Sequence, residues 1–541
     1  SKKSTLKLMK GVNIANCRLK TQVLIIGGGA TGTGLARDLA LRGIPSILVE
    51  KRDINAGASG GNHGLLHSGA RYVSGDPGVA AECRAENELL KKMAPHCIES
   101  SGGLFVAVAG DDENYVADFP GLCERAGIPV TPLDIQDARQ LEPVLSPDTI
   151  AVYQVEDASI DPFKLSLENM AQAQALGSRL LRQTRLLGFK KGNARIQSAL
   201  LQDMRTGRET TVEADMIVNA AGAWAGEVAA LSGISIRILY SKGSLLVTDR
   251  RLTRRIINRL REPSDGDILV PGGTVSILGT TSVRVDSLED IRPTPDEIDL
   301  IVDEGAAMIP MLDRARYIRA YAGVRPLLKP EIEEDDRSAS RGFTLLDHAR
   351  DGLDNLITIP GGKLTTYRFM AEKTADLVCE RLGISRPCLT RTEPLPSTEA
   401  GKWTEPGLGP RDWISAKNPE NPILCECEMV PKSSVDRIVQ FTKAGGDRLD
   451  LKAIGLRSRV GKGACQGTFC GKRVMAHMVE QGEFDGNTAL THLRDFLESR
   501  WKGERPVLWG EQMVQAELKE ALYCGLSDLE RWPHSKEGVG G

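Results

Sequence analysis

Residues 22–50 read QVLIIGGGATGTGLARDLALRGIPSILVE. The apolar run Val23 to Ile26 predicts a parallel strand buried on both faces. Gly27, Gly29 and Gly32 follow at once as G-x-G-x-x-G. Leu35, Leu39 and Leu41 recur at near-helical spacing, and Gly43 stands where a helix should stop. A second strand, residues 45–49, ends in Glu50. Gly27 permits the tight turn, Gly29 lets the backbone approach a pyrophosphate, and Gly32 lets helix and strand pack closely. The helix N-terminus offers N–H groups and a positive dipole end to phosphates. Glu50 can accept hydrogen bonds from a ribose. A tight turn without a ligand is the bland reading. Strand, glycines, helix, second strand and acid all occur in register, so the stretch reads as a dinucleotide site, for FAD or NAD.

Outward from that motif, 541 residues are too many for one core, and two to four domains are expected. Charged residues make up 26% and apolar ones 41%, a balance that fits a soluble globular chain. A net charge of −3 gives no reason to expect a nucleic-acid partner. No stretch approaches the ~20 apolar residues of a membrane span. The first twenty residues are basic (Lys2, Lys3, Lys7, Lys10, Arg18, Lys20) and lack the apolar centre of a secretory signal. They read as a solvated arm, with an anionic surface or partner as the sharper alternative. Seven of the eleven cysteines (Cys17, Cys83, Cys97, Cys123, Cys379, Cys388, Cys524) are scattered and read as packing residues.

The stretch Gly57-Ala-Ser-Gly-Gly-Asn-His-Gly-Leu-Leu-His-Ser-Gly-Ala-Arg-Tyr72 carries little side chain. Such a loop lies against something flat or closely fitted, here plausibly the cofactor's ring. His63 and His67 read equally well as functional or as hydrogen-bonded structural residues. A helix is expected near 79–93, and short strands and turns over 104–160. Asp161-Pro162 caps a helix that stops at Gly177. A strand-rich interval then ends in Met216-Ile-Val-Asn-Ala-Ala-Gly-Ala-Trp224, a second return to the cofactor sheet. Alternating runs over 236–281 predict antiparallel strands of a substrate domain. Thr294-Pro295 caps another helix, residues 321–326 read as a turn carrying Arg325, and 343–347 and 356–359 as strands. Gly361-Gly-Lys-Leu-Thr-Thr-Tyr-Arg368 opens a helix running to Gly383, a third glycine turn facing phosphate or ring.

These stretches together resemble the FAD-dependent glycerol-3-phosphate dehydrogenases, within the glycine-oxidase-like flavoproteins. The matching segments are the opening fingerprint, LLHSGARY, VNAAGAW, SKGSLLV, AGVRPLL, SRGFTLLDH and GGKLTTYR, over about residues 22–385. The resemblance implies an α/β fold: a Rossmann-type FAD domain split in sequence, and a substrate domain built on an antiparallel sheet. It assigns Gly27, Gly28, Gly29, Ala30, Thr31, Gly32, Glu50 and Lys51 to the FAD diphosphate and adenosine ribose. Ser59, Asn62, His63, Gly64, Leu66, Ala221, Gly222, Trp224, Gly361, Gly362, Lys363, Leu364 and Thr365 would surround the flavin. Arg71, Arg325, Arg341 and Lys363 would hold the substrate phosphate and polarise its hydroxyl. The chemistry agrees, because arginine's fork suits phosphate oxygens and a flavin accepts a hydride. Each cation alone reads as a surface charge; four in glycine-rich or proline-bounded turns predict a pocket. His67 is the first choice of proton acceptor and Lys363 the second, while Arg325 can lower the hydroxyl pKa electrostatically.

Beyond Gly383 the composition shifts. Residues 386–423 hold seven prolines and read as an extended linker. Cys425-Glu-Cys427 and Cys465-Gln-Gly-Thr-Phe-Cys470 follow. Two close pairs can converge four thiolates on Zn²⁺ or an iron–sulfur cluster. The spacing resembles the small helical [2Fe-2S] domain of bacterioferritin-associated ferredoxins, and a cluster would pass a flavin's two electrons on one at a time. Residues 432–441 and 449–456 read as its helices, and 487–500 as a helix with a core or partner-docking stripe. The cysteines and the tail ESRWKGERPVLWG are similar to the large subunits of the anaerobic bacterial enzymes of this family. That likeness implies glycerol 3-phosphate as substrate. It also implies an iron–sulfur membrane-associated subunit together with a second flavoprotein-like subunit. It implies menaquinone as indirect acceptor and a peripheral place on the cytoplasmic side of the inner membrane.

The expected division is a basic arm (1–21), an oxidoreductase (22–385), a linker (386–423), a [2Fe-2S] module (424–485) and a helical tail (486–541). Within the oxidoreductase, cofactor segments 22–100, 151–232 and 343–385 interleave with substrate segments 101–150 and 233–342. Two other readings stay open: a flavin dehydrogenase of an amino or 2-hydroxy acid, and a non-catalytic electron-transfer subunit.

Overall fold

The computed structural model describes residues 17–328, 342–396, 413–446 and 448–534. Its first sheet is centred on the strand Cys17–Ile26, which runs parallel to Glu209–Asn219 on one side and Ser46–Val49 on the other. Val23, Leu24 and Ile25 are wholly buried there, as a strand covered on both faces requires. The strand begins at Cys17, so residues 17–21 of the expected arm belong to the sheet. Lys20 lies opposite Glu213 and pairs with it at 3.4 Å, and Arg18 pairs with the same carboxylate. The rest of the basic arm lies outside the described residues. Leu356–Thr358 adds a further parallel strand beside Glu209–Asn219. Three segments far apart in sequence thus build one sheet. The helix Ala30–Leu41 covers a face with Pro162–Ala175 and Tyr367–Leu382; Leu35 and Leu39 are buried completely between them.

The second sheet is drawn from Gly103–Val108, Thr131–Leu133, Thr149–Val155 and the strands between Ile238 and Leu328. Its pairings are antiparallel except that Ile256–Arg259 runs parallel to Gly103–Val108. Three expectations are corrected. The interval 104–160 contains two helices, Glu113–Arg125 and Ile135–Leu141, capped by Asp112 and Asp134. The first buries only Phe119 and Cys123 and carries Pro120, so its periodicity is faint. Residues 321–326 are no turn: they lie within the strand Tyr317–Leu328, with Arg325 opposite Ser241. Of 343–347 only Leu346–Asp347 is strand; Phe343 makes an isolated bridge to Gly361.

The described part of the expected linker does not act as a spacer. Leu395 is buried, Thr390 accepts from Arg368 (3.0 Å) and Cys388 Sγ donates to Asp38 (2.9 Å), fastening it to the cofactor half. Residues 397–412 lie outside the described residues. The cysteine-bearing segment folds around helices Lys432–Ala444, Leu451–Arg457, Cys470–Glu480 and Gly486–Glu504. One apolar core runs from Leu424 to Leu529, across the expected 485/486 boundary. Phe496 is its keystone: a Cβ on Gly461 or Gly467 would lie 2.5 or 2.7 Å from its ring. The apolar stripe of the last helix is therefore core. Among the described residues no helix is long and apolar enough to cross a membrane.

Candidate functional site

Three glycine turns meet at the carboxyl ends of the central strands, around a cavity of about 470 Å³. Gly27 has φ +114°, and a Cβ there would overlap the Ala220 carbonyl of the second turn. A Cβ at Gly32 would overlap the Gly27 oxygen, so helix Ala30–Leu41 reaches its strand only with glycine at that position. The helix starts on Gly29, which supplies no capping side chain. Ser59 Oγ accepts from Ala30 N (2.9 Å), bringing the 57–64 loop across the helix end. Glu50 accepts from Gly28 N (2.8 Å) and Arg52 N (2.7 Å). Burial pushes its pKa up, and those two backbone bonds pull against the rise. Lys51, Ala221, Gly222, Trp224, Gly361, Gly362, Lys363 and Leu364 complete the wall, with Arg52 over the Trp224 ring at 5.3 Å. Bare backbone at a helix start and a half-buried acid just past the neighbouring strand fit a dinucleotide.

A second cavity, about 390 Å³, adjoins the first. Ala58, Pro326 and Gly361 to Leu364 border both. Into this second space come His67, Arg71, Arg325, Lys363 and Thr365, from separate segments of the chain. The Arg325 guanidinium lies across Gly243, where a Cβ would stand 2.5 Å from Nη2. It donates to the Thr281 carbonyl (3.1 Å) and to Thr280 Oγ1. Arg71 Nη2 donates to Asp267 (3.0 Å), which also binds Arg261 (2.7 Å), while Arg71 Nη1 is buried without a partner. His67 N donates to Thr365 Oγ1 (3.1 Å), and His67 Nε2 meets Tyr72 Oη at 3.2 Å. Lys363 Nζ sits 4.5 Å from the centre of the Tyr72 ring. The cavity therefore offers a fork of cations at one side and a hydrogen-bonded imidazole–phenol pair at another.

Not every expected residue is there. Leu66 is fully buried in a core with Ala30 and Tyr367; its neighbour Leu65 faces the cavity. Gly64 packs with φ +71° against the Ile160 carbonyl, on the far side of the loop. Asn62 braces that loop, donating to the Ser59 (2.7 Å) and Ala58 (3.1 Å) carbonyls, and His63 Nδ1 accepts from Leu65 N (3.2 Å). Arg341 lies outside the described residues. Tyr72, Thr280 and Asp267 were not anticipated. Tyr72 closes the glycine-rich stretch, which was its one signal; nothing local marks the other two.

In the cysteine module, Cys425 and Cys470 are buried and Cys427 and Cys465 half-buried. Cys465 interacts electrostatically with Cys427 and Cys470, and Cys470 with Cys425. Thiol contacts from Cys427 and Cys470, with backbone bonds from Phe469 and Gly467, hold Cys465 far below the ordinary thiol range. Contacts from Cys425 and Cys465 push Cys470 up. A Cβ at Gly463 would stand 2.5 Å from Cys427 Cβ, so the two arms approach only over glycine. Four thiols from two facing arms, with backbone donors beside Cys465, suit a thiolate-ligated metal centre. The module docks beside the cradle: Asp53 binds Arg182 (2.7 Å) and Arg457 (3.1 Å), and Thr274 donates to Glu428 (2.5 Å).

The model of the family "FAD dependent oxidoreductase" matches residues 22–368. The chain belongs to that family. Within it the chain is similar to proteins that are each named as one subunit of anaerobic glycerol-3-phosphate dehydrogenase. It is 41% identical over 532 residues to the one from Escherichia coli K12, covering 94% of this chain and 97% of the other. It is 40% identical over 536 residues to the one from Haemophilus influenzae, covering 95% and 94%. Among solved structures, the glycerol-3-phosphate dehydrogenase of Bacillus halodurans complexed with FAD superposes with TM-score 0.62 at 22% identity, over 91% of this chain and 96% of that one. Glycine oxidase of Bacillus cereus does so with TM-score 0.52 at 20% identity, over 70% and 99%. These two likenesses show the α/β oxidoreductase fold of such enzymes.

Proposed function

We propose that this enzyme oxidises sn-glycerol 3-phosphate to dihydroxyacetone phosphate, with FAD as immediate acceptor. The observation that carries the reading is the convergence of Arg71, Arg325 and Lys363 with the His67–Tyr72 pair in a cavity walled off from the dinucleotide cradle only by Ala58, Pro326 and Gly361–Leu364. The names of the two similar bacterial proteins support the substrate. FAD, held by Gly27–Gly32, Glu50, Lys51, Ser59, Ala221–Trp224 and Gly361–Leu364, supplies a two-electron acceptor for the hydride leaving the secondary carbon. The chain's own residues do the rest. Arg325 and Arg71 grip the phosphate, the unpartnered Arg71 Nη1 supplying a free donor. Lys363 stabilises the developing alkoxide. The His67–Tyr72 pair takes the hydroxyl proton: Tyr72 Oη accepts it while passing its own proton to His67 Nε2. The C–H bond leaves as hydride, the O–H bond as proton, and a carbonyl remains.

Cys425, Cys427, Cys465 and Cys470 would ligate a [2Fe-2S] cluster that moves electrons onward singly. The gathering of these four thiols in one module, each influencing a neighbour's ionisation, supports this. Relatives each named as one subunit of a larger enzyme support partner subunits. Through these the chain would sit peripherally on the cytoplasmic side of the inner membrane and reach menaquinone.

The test is anaerobic stopped-flow mixing of the FAD-loaded chain with substrate. Glycerol 3-phosphate should bleach the flavin band, whereas glycerol and proline should not. Bleaching by an amino or 2-hydroxy acid instead would replace the reading, and no bleaching at all would leave an electron-transfer role. Iron and acid-labile sulfide should accompany the anaerobically purified chain; zinc without sulfide defeats the cluster.

A further inference from the structure

A third cavity, about 530 Å³, lies between the cysteine module and the outer side of the 57–64 loop. Neither the proposed oxidation nor the proposed cluster uses it, and none of the four clustered cysteines lines it. Its wall is strongly cationic. Arg319 enters from the strand Tyr317–Leu328, Arg500 from the helix Gly486–Glu504, and Lys452, Arg459 and Lys462 from the other side of the module. The two carboxylates present are already engaged: Glu99 with Arg251 at 2.6 Å, and Asp161 with backbone N–H groups of Phe163 and Lys164 and with Arg459 at 3.6 Å. Arg459 has a further partner in Glu428 (2.5 Å).

Arg319 and Arg500 have no such partner. Neither forms an ion pair with any described carboxylate, and Arg319 Nη1 and Arg500 Nε are buried donors without an acceptor. The arginines are ringed by apolar packing: Arg500 rides over the Phe496 ring at 5.7 Å, and Arg319 Cγ presses on Gly503, where a Cβ would stand 2.8 Å away. Lys462 Nζ lies over Phe163 at 4.5 Å, with only the Leu456 carbonyl (3.4 Å) to accept from it. Gathering half-buried cations with orphaned donors is unfavourable unless an anion joins them. Burial and repulsion from Arg319 hold Arg500 near a pKa of about 9 against the pull of Cys470 and Glu504, and burial brings Lys462 to about 8. Both shifts are relieved when negative charge enters the cavity.

We propose that this cavity binds an oxyanion of the phosphate class, gripped by Arg319 and Arg500 with Lys462 in support. The site is separate from the cation fork around Arg325. Its position gives it a second consequence. Gly57, Gly61, Asn62 and His63 form its inner wall and Gln466, next to Cys465, its outer wall, so an anion there ties the module to the loop beside the cradle. The occupant's size is bounded by the cavity: inorganic phosphate fits easily, and a phosphorylated small molecule fits with its organic part towards Phe163 and Tyr321.

The test uses the full-length chain loaded with its cofactors, and inorganic phosphate as probe. Thermal unfolding is followed against phosphate concentration, with potassium chloride at matched ionic strength as control. Phosphate should raise the midpoint in the wild type and in Arg325→Ala, where the other cation site is removed. In Arg319→Gln and Arg500→Gln the phosphate needed for half the rise should increase about tenfold or more. Arg500→Lys, which keeps the charge, should retain part of the response. Without phosphate, Arg500→Gln should melt no lower than wild type, because it removes a half-buried charge with an orphaned donor; a structural arginine would do the reverse. No phosphate response beyond the chloride control overturns the proposal. So does a response that survives both glutamine variants, or one that vanishes with Arg325→Ala alone. If one variant fails to fold, the other and Arg500→Lys decide.

Discussion

Asp53 is the point at which the cysteine module can be unfastened from the cofactor half. It lies three residues after Glu50 and is clamped by Arg182 from one segment and Arg457 from the module. The Arg457 fork is bidentate, 3.1 Å to Oδ2 and 3.2 Å to Oδ1. Side-chain exposure is 2% for Arg182, 9% for Arg457 and 22% for Asp53. Removing one partner of a fully buried pair costs about 3–5 kcal/mol. Partial exposure of the carboxylate brings Asp53→Asn to about 2–3 kcal/mol, or about a 30- to 140-fold larger opening constant. Native-state hydrogen exchange at one pH reads this directly. Amides in Leu451–Arg457 and Lys432–Ala444 should exchange faster by that factor, while those in Cys17–Ile26 keep their rates. Arg457→Met should cost less, since Arg182 still pairs with Asp53, and the double variant should cost less than the sum. The pH sense is fixed too. Burial alone would raise the Asp53 pKa, but Arg457 and Arg182 hold it below the usual carboxylate range. Its contribution is thus intact above the unfolded-state value and is lost as pH falls through the lower folded value. Equal acceleration of both sets of amides, or of neither, would refute the clamp.

Four further outcomes follow from the site. Gly32→Ala forces the helix Ala30–Leu41 off the Gly27 carbonyl, a strain of about 1–3 kcal/mol, and the FAD-to-protein ratio after gel filtration should fall. Arg325→Lys keeps the charge but loses the fork, so KM for glycerol 3-phosphate should rise by about one to two orders of magnitude with less change in kcat. His67→Asn should lower kcat by about 10²–10⁴; an unchanged kcat would transfer the proton to Lys363. Cys465→Ser should cut iron and sulfide content while FAD stays stoichiometric, because the two sites have separate walls.

How far these features could be read from the chain depends on how local their causes are. The opening strand, the glycine turn and Glu50 were legible, since each answers to neighbours within a few residues. The caps at Asp161 and Thr294 were too: both side chains bond the first turn of the helix they begin. The strand Tyr317–Leu328 was misread because Gly323 and Pro326 look like turn formers. Gly323 instead lets the Gly61 backbone come within contact of the strand, a reason that lies some 260 residues away. Leu65 and Leu66 are alike in sequence, but a strand alternates its faces, so one sees the cavity and the other the core. Tyr72 draws its role from Lys363, and Phe496 from glycines spread over 455–471. The core that spans residue 485 is likewise assembled only in three dimensions.

The 57–64 loop is the common element behind every cavity described. Gly57, Ala58 and Ser59 face the dinucleotide cradle, Asn62 and His63 face the substrate space, and Gly60 to Gly64 face the cationic cavity. A loop so poor in side chains has few contacts of its own to hold it, and its position is set by what touches its backbone. Ser59 is fixed by the helix start, Asn62 O accepts from Tyr321 Oη at 2.8 Å, and Gly61 meets Gly323. Two of these ties come from the strand Tyr317–Leu328 and the third from the helix Ala30–Leu41. Anything bound in one cavity therefore touches a loop that the other two share, and glycine is what makes that wall thin. The same thinness explains why the stretch stood out in sequence: a wall seen from three sides has no room for side chains.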